Sequence, residues 1–270
     1  MNNPNIWPPQ QGQAANPYAE QRPSFFIRLT PPLVTRILLG INVAVFVAMT
    51  AYGYFAYGTL LGSQNNQVLF DFGAKFNAAI AQGQTWRLFT AMFLHIGAIH
   101  LLVNLYALNA LGPLVEGYFG HQRFTAIYIL GGLFGSLASY AFSLNPSAGA
   151  SGAIFGLAGA TTVYFLRYRE NFGARGRAIL QNMLLIIGIN LVFGLSVPGI
   201  DNWGHIGGLL GGALVAYGLL PKYRRPSVLA AGPQALQVEQ NLSLLVGWVI
   251  LCIALLALGV EFATRWWLGS

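Results

Sequence analysis

The 270-residue sequence is 55% hydrophobic and only 8% charged, with a mean hydropathy of +0.56, which excludes an ordinary soluble domain and points to an all-α polytopic membrane protein. Its net charge of +7 is not gathered beside any nucleic-acid-binding pattern, so no nucleic-acid partner is expected, and the arginines between apolar runs read as topology signals. A single cysteine, Cys252, inside an apolar run, excludes an intramolecular disulfide and a thiol metal site.

Residues 1–31 are rich in Asn, Pro and Gln and lack an apolar signal core, so they read as a disordered cytoplasmic tail. The first span runs from Leu33 to about Tyr57, long enough to cross a bilayer, which takes about 20 helical residues. From Gly58 to Ile96 polar residues alternate with Phe70, Phe72, Phe76, Trp86, Phe89 and Phe93, a composition suited to the membrane interface. Further spans are predicted from Gly97 to Glu116, Phe124 to Phe142, Ser151 to Leu166, Ala178 to Val197 and Gly204 to Leu220, the one from Ser151 short and expected to begin below the membrane surface. These make 32–220 a six-helix core, followed by a cytoplasmic linker at 221–241, a seventh span at 242–262 and an outer tail at 263–270.

With the amino terminus inside, eleven of the 14 basic residues fall in inner segments, and only Lys75, Arg87 and Arg265 fall outside. That bias sets the amino terminus in the cytoplasm and the carboxyl terminus outside. The second, fourth and sixth spans then all run inward from the outer face. His100 and Asn104 lie one helical turn apart near the start of the second, Ser151 opens the fourth, and His205 lies near the start of the sixth. Four polar side chains thus gather at one depth, and polar groups inside spans commonly line a cavity or a functional site.

Ser151 sits in Gly149-Ala150-Ser151-Gly152, where flanking glycines leave the backbone uncovered and a helix-start amide remains free to donate. That suits a nucleophile, yet the same small residues equally serve helix packing, and a lone histidine or asparagine in a span also bonds neighbouring helices. His95 reads as a hydrogen-bonding support, His121 has no evident chemistry, and Asp201 reads as a loop residue. Glu116, at the inner end, is expected to fasten the inner turn by hydrogen bonds or an arginine pair.

Taken in order, Trp86-Arg87, His95-x4-His100-x3-Asn104, Gly112-x3-Glu116-x3-Gly120, Gly149-x-Ser151-Gly152 and Gly204-His205-x2-Gly208-x3-Gly212 resemble the rhomboid intramembrane serine proteases, in the form with one helix added after the six-helix core. The resemblance implies that Ser151 is the nucleophile and His205 the general base and acid, with no aspartate needed. It also implies an oxyanion site of His100, Asn104 and the Ser151 backbone amide. Phe155 stands where the family often has tyrosine, keeping a ring contact with the histidine but not the hydroxyl. Gly208 and Gly212 would let the sixth span pack on the fourth. The implied substrates are single-span transmembrane proteins in the lipid bilayer, cut near their outer end after a small residue, with helix-weakening residues below. The fifth span is the implied lateral gate. No cofactor or metal is expected, and a prokaryotic plasma membrane is the expected location. Two alternatives stand beside this reading: a catalytically silent rhomboid-like chaperone or quality-control factor, and a small transporter, for which Asn190 is the one suitable mid-span polar residue.

Overall fold

A computed structural model describes residues 24–197, 199–227, 233–239 and 241–269. The apolar run after Pro31-Pro32 forms α1 (Leu33–Tyr57), which ends where Gly58 adopts a left-handed conformation with φ 67°. Three short helices, α2 (Asn66–Asp71), α3 (Asn77–Ala81) and α4 (Arg87–Thr90), make up much of the segment that leads to α5 (Ala98–Phe119). Gly120, at φ 79°, turns the chain directly from α5 into α6 (His121–Phe142). Then follow α7 (Ser151–Arg167), α8 (Arg169–Ser196), α9 (Asn202–Leu219) and α10 (Leu242–Gly269).

Among the described residues, five helices are long and apolar enough to cross a membrane: α1, α5, α6, the Gly176–Ser196 part of α8, and α10. The two that fall short, α7 with 17 residues and α9 with 18 residues of which six are glycine, form the centre of the bundle with α6. Every residue of α7 from Ala153 to Thr161 is buried, so protein surrounds it on all sides. The outer helices do the reverse. Phe55 of α1, Ile99 of α5, Leu195 of α8 and Leu258 of α10 point outward, a surface that lipid covers without cost and water would not. The chain is a multi-pass integral membrane protein.

Glycine lets the central helices touch backbone to backbone. A Cβ on Gly208 of α9 would stand 2.0 Å from the Gly152 carbonyl oxygen of α7, and one on Gly212 would stand 2.2 Å from Gly156 Cα. The expected sixth-on-fourth contact is therefore present, and α6 joins it through Gly135, whose Cβ would lie 2.7 Å from Gly204 O.

Several boundaries differ from those read in the sequence. The fifth span begins earlier, as α8 starts at Arg169 and passes through Gly173, whose φ of 52° and ψ of −130° break the helix before the apolar part. The expected outer tail, 263–270, is instead helix through Gly269. Tyr140 of α6 holds it there, bonding Thr264 Oγ1 at 3.1 Å through its hydroxyl and accepting Trp267 Nε1 at 2.8 Å through its carbonyl. Residues 1–23 of the expected disordered tail lie outside the described residues, but Ser24–Phe26 forms a strand, β1. It pairs in parallel with β3 (Pro233–Ala235), while β2 (Lys222–Arg224) pairs antiparallel with β4 (Gln237–Glu239). The guanidinium of Arg225, 5.1 Å over the Phe25 ring, helps dock this part of the tail on the linker.

Candidate active site

Ser151 is the first residue of α7 and His205 lies one turn into α9, and the close glycine seam beneath them brings their side chains together. Ser151 Oγ lies 3.0 Å from His205 Nε2. His205 is buried, and the Phe155 ring stacks on its imidazole with centroids 4.3 Å apart and planes 7° from parallel. The ring contact expected of Phe155 is made, and it fixes the plane in which Nε2 faces the serine.

His100 projects from the start of α5 toward the same point. Its Nδ1 accepts the Ile96 backbone N–H at 3.3 Å, which leaves the ring proton of a neutral imidazole on Nε2. That Nε2–H points to the loop before Ser151: a Cβ on Gly149 would lie 3.0 Å from it. Gly149 has φ 145°, so its backbone conformation and the nearby ring both call for glycine. Asn104, buried one turn further along α5, donates from Nδ2 to His100 O at 2.9 Å, which leaves one of its two N–H groups for another acceptor. The Ser151 N–H, in the first turn of α7, has no acceptor within the helix. His95 is fully buried with its ring edge-on to His100, centroids 5.3 Å apart. In the structure its support to His100 is this ring contact.

Above these residues opens a cavity of about 750 Å³. Ser151, His205, His100 and Asn104 line it together with Met183, Ile187 and Asn190 of α8. Polar groups from the 58–96 segment and α6, among them Gln64, Asn66, Ser136 and Ser139, give its wall hydrogen-bonding capacity. Asn190, set aside for a transporter reading, donates to Ile186 O of its own helix at 2.8 Å.

Three expected site residues lie elsewhere. Arg87 is buried and braces the loop after α2: Nη1 donates to Phe70 O at 2.7 Å and Ala74 O at 3.2 Å, while the guanidinium lies 4.0 Å over the Phe70 ring and 4.8 Å from that of Trp86. Trp86 itself is half exposed. Glu116 is fully buried at the far end of α5. Its oxygens accept Val34 N and Thr35 N, each at 2.8 Å, and Thr35 Oγ1 at 2.6 Å, so it caps the amino terminus of α1 from another helix. Among the described residues the inner turn is thus fastened by hydrogen bonds and by no arginine, and His121 joins it with Nδ1 2.6 Å from Glu116 Oε1.

Two residues beside the site do more than the outer charge and the loop residue that the sequence suggested. Lys75 is buried, and Nζ donates to Ser143 O at 2.8 Å and Asn145 O at 2.9 Å, pinning the α6–α7 loop. Burial holds its ammonium well below the usual lysine range, at about 8. Asp201 is the amino-terminal cap of α9, accepting Gly204 N at 2.9 Å, and it accepts Ser147 Oγ at 2.6 Å as well. An Asp directly before a helical run is a capping signal that the sequence did offer.

Comparison with known proteins bears on this arrangement. A family model described as a Rhomboid domain matches residues 82–222. The chain is 49% identical over 179 residues to rhomboid protease GluP of Bacillus subtilis, an alignment covering 66% of this chain and 35% of that protein. It is 34% identical over 208 residues to RHOMBOID-like protein 7 of Arabidopsis thaliana, covering 77% of this chain and 63% of the other. With the mitochondrial RHOMBOID-like protein 6 of the same plant it shares 42% identity over 143 residues, covering 52% and 46%. The chain therefore spans less than two thirds of the length of each of these relatives, and about a third of the bacterial one.

Proposed function

The chain belongs to the rhomboid family, and on that premise we propose that it is an intramembrane serine endopeptidase working through a Ser151–His205 dyad. The observation that carries the reading is the 3.0 Å contact between Ser151 Oγ and His205 Nε2, made by residues 54 apart in sequence and opening onto a cavity. In the competent tautomer Nδ1 of His205 holds the ring proton and Nε2 is bare. As Oγ bonds to the scissile carbonyl carbon, Nε2 takes the hydroxyl proton. The negative charge that develops on the carbonyl oxygen falls to the Ser151 amide, the His100 Nε2–H and the unspent N–H of Asn104, donors already in place. When the C–N bond breaks, His205 returns the proton to the leaving amine. Water then attacks the acyl carbon, giving a proton to Nε2, and as the acyl C–Oγ bond breaks Nε2 returns that proton to Oγ, which releases the carboxyl product and restores Ser151.

The cavity supplies that water, which hydrocarbon would exclude. Its wall on the α8 side is apolar at Met183 and Ile187, and the membrane-length part of α8 is, with α10, one of the two least buried spans, in keeping with substrate entry there. The substrates are single-span membrane proteins whose helix unwinds near the outer face, since an intact helix keeps its carbonyls internally bonded. In this reading 32–220 is the catalytic core, the amino terminus is cytoplasmic, the linker at 221–241 is on the same side, and α10 is an appended span in a prokaryotic plasma membrane.

A serine-reactive fluorophosphonate tests the proposal on detergent-solubilised protein. Native protein is expected to label and to cut a model single-span substrate, and Ser151→Ala and His205→Ala, still folded, to do neither. Absence of both activities in native protein would favour the silent chaperone.

A further inference from the structure

We propose that Asp201 is a positioning residue for the dyad, holding the loop that leads into α7 in register with the start of α9. The proposal rests on the dyad reading above. Three bonds meet at this residue. Its carbonyl accepts His205 N at 3.1 Å and its Oδ1 accepts Gly204 N at 2.9 Å, so it fixes the first turn of the helix that carries the histidine. Its Oδ2 accepts Ser147 Oγ at 2.6 Å, four residues before the serine.

Ser147 transmits that hold because the loop around it is stiff. It exchanges backbone bonds with Lys75, Lys75 N to Ser147 O at 2.9 Å and Ser147 N to Lys75 O at 3.1 Å, while Lys75 Nζ ties Ser143 O and Asn145 O. Two residues on, Gly149 N donates to Ala91 O at 2.9 Å, and Ser151 follows. Displacing Ser147 therefore displaces the start of α7.

The need for such a tie comes from the glycine seam. Ridges of side chains seated in grooves lock two helices against sliding, and the facing surfaces at Gly152, Gly156, Gly208 and Gly212 carry no ridge. The seam sets how close α7 and α9 come but leaves their axial register weakly held. A carboxylate on one helix start, bonded to the loop entering the other, supplies the missing constraint at the depth of the dyad. Asp201 is not a third member of the catalytic set: both its side-chain oxygens are engaged with Gly204 and Ser147, and His205 Nδ1 finds no hydrogen-bond partner among the described residues.

The test measures kcat and KM of the full chain on a model single-span substrate, with fluorophosphonate labelling and thermal unfolding of each variant. Ser147→Ala, which leaves the α9 cap intact, is expected to lower kcat about tenfold or more with KM and unfolding midpoint unchanged. Asp201→Ala is expected to fall further, and adding Ser147→Ala to it to cost nothing more. Asp201→Asn is expected to recover most of the loss, because an amide oxygen still caps Gly204 and the amide nitrogen can donate to Ser147 Oγ. Native kcat in Ser147→Ala, losses that multiply in the double variant, or Asp201→Asn as poor as Asp201→Ala would each overturn the proposal. Native protein that fails to label removes the dyad reading and this one with it, whereas labelled native protein beside an unaffected Ser147→Ala removes only this one.

Discussion

Gly208→Ala is the substitution that most directly separates the two helices that carry the proposed dyad. Its Cβ would stand 2.0 Å from Gly152 O, against the roughly 3.3 Å at which carbon and carbonyl oxygen ordinarily meet. The obstacle is backbone, so no side chain can rotate away, and α9 must retreat from α7 by about 1 Å. Gly152 adjoins Ser151 and Gly208 lies one turn beyond His205, so the retreat falls on the reacting pair. A contact of 3.0 Å that lengthens to roughly 4 Å is no longer a hydrogen bond. A misplacement of that size costs on the order of 100-fold in rate, or about 2.7 kcal/mol of transition-state stabilisation. Overpacking alone is expected to lower stability by about 1–3 kcal/mol. The assay is the rate of fluorophosphonate labelling beside substrate cleavage, at a temperature where thermal unfolding shows the variant folded. Gly40→Ala, at a glycine with open space around it, is the matched control and should label like native protein. Folded Gly208→Ala that labels at the native rate would refute the claim that the glycine seam sets the dyad distance.

Phe155→Ala removes the ring stacked on His205 and is expected to lower kcat about tenfold through a loosened imidazole, whereas Phe155→Tyr retains the ring and near-native kcat; steady-state kinetics distinguishes them. Glu116→Ala leaves the first-turn donors of α1 without their acceptor and is expected to cost about 3 kcal/mol, read as a lowered unfolding midpoint, with labelling of the folded fraction unchanged. Lys75 gives a pH signature: its folded value of about 8 lies below the unfolded 10.5, so the unfolded chain binds more protons between those values and stability rises with pH across that window. Unfolding of native protein measured against Lys75→Met should show native stability rising relative to the variant from about 8 to 10.5, and a flat difference would exclude the lowered Lys75 pKa.

What the sequence revealed depended on how local the cause was. The limits of α1 follow from an apolar run framed by Pro31-Pro32 and Gly58, and the start of α7 follows from the glycines around Ser151, so both could be read directly. His100, Asn104, Ser151 and His205 line one cavity, and charge counting with span length had already grouped them near the starts of three spans. The cap that Glu116 puts on α1 could not be read, since its partners Val34 and Thr35 are 82 and 81 residues away and no periodicity records such a pairing. The same holds for the strand at Ser24–Phe26, which exists only because 233–235 lies beside it. The last turns of α10 escaped for a related reason. Arg265 and two tryptophans look like the end of an apolar run, but Glu261 pairs with Arg265 one turn on and Trp267 reaches Tyr140 of α6.

In the proposed protease the shortness of α7, which keeps it out of the set of membrane-length helices, would put its serine within reach of both lipid and water. Seventeen helical residues rise about 26 Å, against a hydrocarbon thickness of about 30 Å. The Arg167 end is held by an aromatic cluster, with Tyr164 OH bonded to Tyr223 OH at 2.8 Å and Tyr168 OH to Pro221 O at 2.5 Å, and aromatic residues of this kind settle at the membrane interface. With that end at one surface, the other end, Ser151, stops short of the opposite surface by several ångström. A longer helix would lift the nucleophile into bulk water, where any flexible peptide could meet it. Below the surface, as the proposed protease requires, only a peptide bond that enters through the bilayer and gives up its helical hydrogen bonds would come within 3 Å or so of Oγ. If the chain is the protease proposed here, the cavity above would bring water to the acyl-enzyme without exposing the serine to loops of soluble proteins, and helix length, beside any recognition pocket, would set the class of substrate.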